Sequence, residues 1–284
     1  MSSSESNAAA RQVRSTITWI RAAEETAFYG EHAWALNAFP RVSGAAGALR
    51  AEIARLGALP PDWRRAEAAT NVYLLACAIS DTVDDWLAGR RYDFSKIRDV
   101  VPGAGTLLRP VEAALAVPAR LRALRIRRIE AWRESWERAV GEYLRAMVDG
   151  GTVAPESAAG LLKLLDAKLP SDLAARRAKI PSAFRSQDLS HHDVLSLGAK
   201  LAAEYGDRSR PVLVVGFRTA GSYFAPLLRA FLERRGYESV DSVTMRPKQG
   251  LTRRERAKVA RAAEKPALVA LIDEPVNTGS TLLK

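Results

Sequence analysis

The sequence predicts two parts in tandem, an all-α N-terminal domain followed by an α/β domain built on a parallel sheet. Three observations carry this expectation. Apolar residues recur at helical spacing across residues 15–150. Past Arg210 the rhythm changes to short continuous apolar runs that alternate with amphipathic stretches. Each of those runs ends in a loop that carries Gly, hydroxyl or charged residues.

The chain starts with a Ser- and Ala-rich polar stretch, and residues 1–14 are expected to be a disordered N-terminus. Residues 15–150 form the predicted helical domain. Trp19, Ala22, Ala23 and Thr26 share one helical face, as do Ile126, Ile129, Trp132, Trp136 and Val140. Breaks fall at Pro40, Pro60-Pro61, Pro102-Gly103, Pro118 and Gly150-Gly151. Roughly five helices fit between them, because the intervening segments are rich in Ala, Leu and Arg. The six tryptophans (19, 34, 63, 86, 132 and 136) are expected to pack this domain rather than stack on bases.

One helical segment carries Asp81, Asp84 and Asp85, with Asp81 and Asp85 one turn apart on the same face. The plain reading is a solvated surface face. The chemical alternative is an aspartate-rich helix motif of the kind isoprenoid synthases use for Mg²⁺-diphosphate, although no second acidic helix motif accompanies it.

The second domain is drawn at residues 151–284, with its strand-bearing core at 210–284. Ser190 with Asp193 reads as a helix N-cap with an acidic first turn. The alternative is that the polar stretch Phe184 to Asp193 faces the site. Adjacent His191 and His192 do not share a helix face, so no metal pair is expected. Strands are predicted at Pro211–Gly216, Ser239–Thr244 and Pro266–Ile272, with helices at Tyr223–Arg235 and Arg253–Glu264 between them. Strand–helix–strand order implies a parallel sheet, and such sheets bind ligands outside the carboxyl ends of their strands.

Composition sets the outer limits. Apolar residues are 48% and charged residues 26% of the chain, and no apolar run approaches the ~18 residues of a membrane helix. Cys77 is the single cysteine, which excludes an internal disulfide and a cysteine-based zinc site and fits a reducing, cytoplasmic setting. The net charge of +11 raises the question of nucleic acid, but most Arg residues alternate with Glu on helical faces, so nucleic acid is not the expected partner. An anionic small substrate gains equally from such a field.

The loops carry the chemistry. The third strand runs into Asp273-Glu274-Pro275-Val276-Asn277-Thr278-Gly279-Ser280-Thr281. Two carboxylates at a strand end, followed by a hydroxyl-rich Gly turn opening a helix, suit a phosphorylated sugar. The plain alternative is a strand–turn–helix with a capping hydroxyl. After the first strand comes Gly216-Phe217-Arg218-Thr219-Ala220-Gly221-Ser222, and after the second comes Met245-Arg246-Pro247-Lys248-Gln249-Gly250. Neither the Rossmann G-x-G-x-x-G nor the P-loop pattern occurs.

An apolar strand, an acidic pair and a Thr-Gly-x-Thr turn, with these two loops upstream, resemble the type I phosphoribosyltransferases. The resemblance covers the C-terminal part alone. It implies a fold of the PRTase-like α/β class and binding of 5-phosphoribosyl-1-pyrophosphate (PRPP). Asp273 and Glu274 are the implied ribose contacts, and Asn277, Thr278, Gly279, Ser280 and Thr281 the implied 5′-phosphate contacts. Arg218, Thr219, Ala220 and Gly221 are the implied pyrophosphate loop, with Arg218 expected to serve the anion rather than the fold. Arg246 and Lys248 are the implied catalytic cations of the flexible loop. Mg²⁺ is the implied cofactor, carried by PRPP, with Asp273 the candidate protein ligand.

The implied function is phosphoribosyl transfer to an unidentified, nucleobase-like acceptor with release of pyrophosphate. The alternative is a PRPP-sensing regulator or adaptor that keeps the fold without turnover. Two residues depart from the family pattern. Asn277 stands where purine-salvage members often carry an Asp base, and Pro275 replaces an aliphatic residue. The sequence stops at Lys284, so the resembling domain is expected to be incomplete, with an under-covered third strand finished by another copy or a partner chain.

Overall fold

The computed structural model describes residues 41–88, 116–149, 153–179, 190–246 and 251–273. The described residues are mostly helical, with one small parallel sheet among them. In chain order the elements are α1 (Val42–Ala58), α2 (Trp63–Ala88), α3 (Ala116–Val148), a 3-10 turn (Pro155–Ala158), α4 (Ala159–Leu165), α5 (Ser171–Ala174) and α6 (His191–Glu204). Then follow β1 (Val212–Phe217), α7 (Gly221–Arg234), β2 (Val240–Met245), α8 (Arg253–Ala263) and β3 (Leu268–Ile272).

Helix α2 lies at the centre. Its residues from Ala68 to Asp84 are buried on nearly every face, and it packs against α1, α3 and α7. A helix enclosed all round belongs in a core. Helix α3 begins two residues before Pro118, so that proline does not break the chain as expected. In the first helical turn a missing N–H forfeits no intrahelical bond. Trp86, Trp132 and Trp136 are buried as expected, and Trp132 stacks on Trp136 with ring centroids 5.0 Å apart. Trp63 is 36% exposed, and Trp19 and Trp34 lie outside the described residues.

All three strands are parallel in the order β2-β1-β3. Side chains alternate across the sheet. Val212 and Val214 face α7 and join a large cluster that includes Leu49, Ile79, Trp136 and Tyr143, so residues on both sides of position 150 share one core. Leu213, Val215 and Val243 face the other way and pack with Val259 and Ala262 of α8. One helix on each face is the doubly wound arrangement.

β3 has one strand neighbour among the described residues. Its Ile272 is buried, whereas Val269 and Leu271 are 54% and 60% exposed. No described helix is long and apolar enough to cross a membrane. Ser190 and Asp193 form the expected capping box, with the Asp193 carboxylate accepting from the Ser190 N–H at 2.8 Å.

Candidate functional site

The strand register sets the site. Phe217 pairs with Met245, and Gly216 pairs with Ile272, so β1 and β2 end level and β3 ends one register position short of them. Arg218, Arg246 and Asp273 are the next residues on each, so three of the sequence-predicted site residues lie along one edge of the sheet. The chain leaves β1 toward β2 on one side and then crosses to β3 on the other. This reversal makes the β1/β3 crevice the topological switch point, where doubly wound sheets hold ligands. Glu274, Asn277, Thr278, Gly279, Ser280, Thr281 and Lys248 lie outside the described residues.

The loop from β1 to α7 is compact because both of its ends are glycine. A Cβ on Gly221 would lie 2.2 Å from the Gly216 carbonyl carbon and 2.4 Å from its Cα. Within the loop, Thr219 O accepts from Ser222 N at 3.0 Å and Ala220 O from Tyr223 N at 2.9 Å, and the Arg218–Thr219 peptide is cis. The Arg218 N–H donates to Met245 O at 2.9 Å, which ties this loop to the end of β2.

The side chains facing this loop come from α2, far away in sequence. Ser222 Oγ donates to Asp81 Oδ1 at 2.7 Å. Arg246 donates from Nε and Nη2 to the two oxygens of Asp85, both at 2.7 Å. The same guanidinium reaches Arg218 O at 3.1 Å and Thr219 Oγ1 at 3.2 Å. Arg218, whose side chain is 0% exposed, lies 3.3 Å from Glu255 and 3.6 Å from Asp85. Lys179 Nζ approaches Asp85 at 3.6 Å.

Two sequence expectations meet unexpected surroundings. Arg218, expected to serve an anion rather than the fold, is enclosed and paired with Glu255 and Asp85. Its partner Glu255 also caps α8 through Thr252. The Asp81/Asp84/Asp85 face is not solvated either, since Asp81 and Asp84 are each 1% exposed. The local hint for this is Leu74, which shares a helical face with Asp81 and Asp85 and, like Asp81, is buried.

Asp84 serves a second network on the other side of α2. Arg133 grips it with two hydrogen bonds of 3.0 and 2.8 Å, and Arg254 approaches at 3.4 Å. Glu137 of α3 pairs with Arg254 and Lys258 of α8 and lies 3.5 Å from Arg229 of α7. Arg133, Glu137, Arg229, Arg254 and Lys258 help line a cavity of about 40 Å³ between α3, α7, β2 and α8.

Protonation follows from these surroundings. Burial pushes the Asp81 carboxyl up to about 7, and the neighbouring Asp85 charge pushes the same way, against Ser222, Arg246 and Arg218. Burial also acts on Asp84, but there the guanidiniums of Arg133, Arg254 and Arg218 win and hold it below the usual range. Among the described residues, no group of three or more His, Cys, Asp or Glu is arranged to hold a metal.

The carboxyl edge therefore carries the part-buried Arg246 guanidinium, the Thr219 hydroxyl and the strand-end Asp273 carboxylate, with the Arg218 guanidinium enclosed beside them. Comparison with protein-family models, with curated proteins and with solved structures finds no match to this chain.

Proposed function

We propose that this protein binds PRPP and transfers its phosphoribosyl group to an acceptor, releasing pyrophosphate, on a PRTase-like fold. The observation that carries this reading is the carboxyl edge of the parallel sheet, where Arg218, Arg246 and Asp273 follow the ends of three adjacent strands. Asp273 is suited to accept from ribose hydroxyls, and the Arg246 guanidinium, once released from Asp85, to meet phosphate oxygens in a forked geometry, with Arg218 adding positive charge behind it.

The transfer builds positive charge at the ribose C1 and negative charge on the departing pyrophosphate. Fixed cations at the leaving oxygens lower that barrier. Mg²⁺, when bound, neutralises phosphate charge. Asp273 would be the protein's carboxylate ligand, with phosphate oxygens of PRPP and water supplying the rest of an all-oxygen donor set. Calorimetry with PRPP and Mg²⁺ tests the reading. The Asp273→Asn and Glu274→Gln variants should bind PRPP at least ~10-fold more weakly, a loss of about 1.4 kcal/mol. Undiminished affinity in both removes the ribose assignment.

A second reading, PRPP sensing without turnover, has one observation in its favour. Arg218 and Arg246 are each already paired with carboxylates from other elements. A ligand must rearrange those pairs, which couples binding to the position of α2. Pyrophosphate release over a panel of nucleobases separates the two readings. Release with any base supports the enzyme, and tight binding with no release supports the sensor.

A further inference from the structure

We infer that Asp81 and Asp85 of α2 form a divalent-cation site that Arg246 fills until an anionic ligand draws it away. This inference rests on the diphosphate reading of the carboxyl edge and extends it to residues of the helical half.

Arg246 Nη2 stands between the two carboxylates, 2.7 Å from Asp85 Oδ2 and 3.6 Å from Asp81 Oδ2. A positive group already occupies the position between them. Asp81 Oδ2 is buried without a hydrogen bond, although its other oxygen accepts from Ser222. The fully buried Arg218 likewise leaves Nε and Nη1 without hydrogen bonds, and Nη1 points to the same cluster, 3.6 Å from Asp85 Oδ1. The cluster therefore holds unused donors for an anion and an unused acceptor for a cation.

Charge counting leads to the same conclusion. Arg218, Arg246 and Lys179 face Asp85, Glu255 and the Asp81 carboxyl, which balances to within one charge. A diphosphate brings about three negative charges into this balanced setting. If Arg246 turns to the diphosphate, the buried Asp81 and the part-buried Asp85 lose the cation between them, and Asp81 loses its nearest positive partner. A divalent cation satisfies both needs, taking the two aspartates on one side and phosphate oxygens on the other. Two carboxylates completed by phosphate and water is the donor set Mg²⁺ accepts. Asp81 and Asp85 at i and i+4 present their oxygens on one side of the helix.

The test uses Mn²⁺ as the probe metal, read by loss of its free electron-paramagnetic-resonance signal in the full chain. Without any anion, Arg246→Ala should bind Mn²⁺ at least tenfold more tightly than the wild type, because the placeholder is gone. Adding Asp85→Asn to that variant should abolish the gain. In the wild type, pyrophosphate should bind at least tenfold more tightly with Mg²⁺ than without it.

The inference is overturned if Arg246→Ala gains no metal affinity, or if the gain survives Asp85→Asn. Should Arg246→Ala not fold, the wild type alone decides, since metal-independent pyrophosphate binding also overturns the inference. PRPP binding without metal capture at the aspartates removes this site and leaves the proposed function standing. Metal capture in Arg246→Ala with no affinity of the wild type for PRPP does the opposite.

Discussion

Arg246 closes onto Asp85 through two parallel hydrogen bonds of 2.7 Å, across 161 positions of sequence. This forked pair joins the end of β2 to the C-terminal part of α2, and it holds the helical half against the carboxyl edge of the sheet.

A double-mutant cycle measures that bridge. Arg246→Ala and Asp85→Ala should show a coupling of about 1–3 kcal/mol in urea unfolding, since both side chains are largely enclosed and the geometry is bidentate. Additive losses would mean that the two residues do not touch in solution.

Arg218→Ala should unfold more easily by about 3 kcal/mol or more, because it strands the buried Glu255 carboxylate. Arg218→Lys should recover only part of the loss, since an ammonium cannot reproduce the planar fork. A melting temperature unchanged by Arg218→Ala would instead support the sequence expectation that Arg218 serves an anion rather than the fold.

Gly221→Ala should cost about 1–3 kcal/mol, because its Cβ would meet the Gly216 backbone, which cannot swing aside as a side chain can. Gly206→Ala is the matched control. Nothing lies within 4 Å of a Cβ built there, so its effect should stay within about 0.5 kcal/mol. Equal stabilities for the two variants would show that the loop is not closed as described.

Glu137 sets an acid limit. Burial alone would raise its carboxyl, but Arg254, Lys258 and Arg133 hold it down at about 2. A carboxyl depressed from its ordinary value near 4.5 adds stability above that value, and the contribution fades as pH falls from about 4.5 through about 2. Glu137→Gln should therefore lose about 2–3 kcal/mol at pH 7 and almost nothing at pH 2. Chemical denaturation at both pH values reads the difference, and a loss that is the same at both would show that the charge of Glu137 does not carry it.

The order of elements after Arg210 was determined by sequence alone. The continuous run Val212–Val215 marks a strand buried on both faces, and capping residues mark the helices that follow. These signals are local, so each strand and helix stands within two residues of its expected span. The same locality made Arg218 and Arg246 legible as residues at strand ends. It also made Asp81, Asp84 and Asp85 readable only as a patch on one helix. What those charges face was decided by tertiary structure. Only when α2 packs against α7 does Asp85 meet Arg246, and only then is Arg218 enclosed rather than offered to solvent. A charge's partner and its hydration depend on residues more than a hundred positions away, and no periodicity along the chain encodes that meeting.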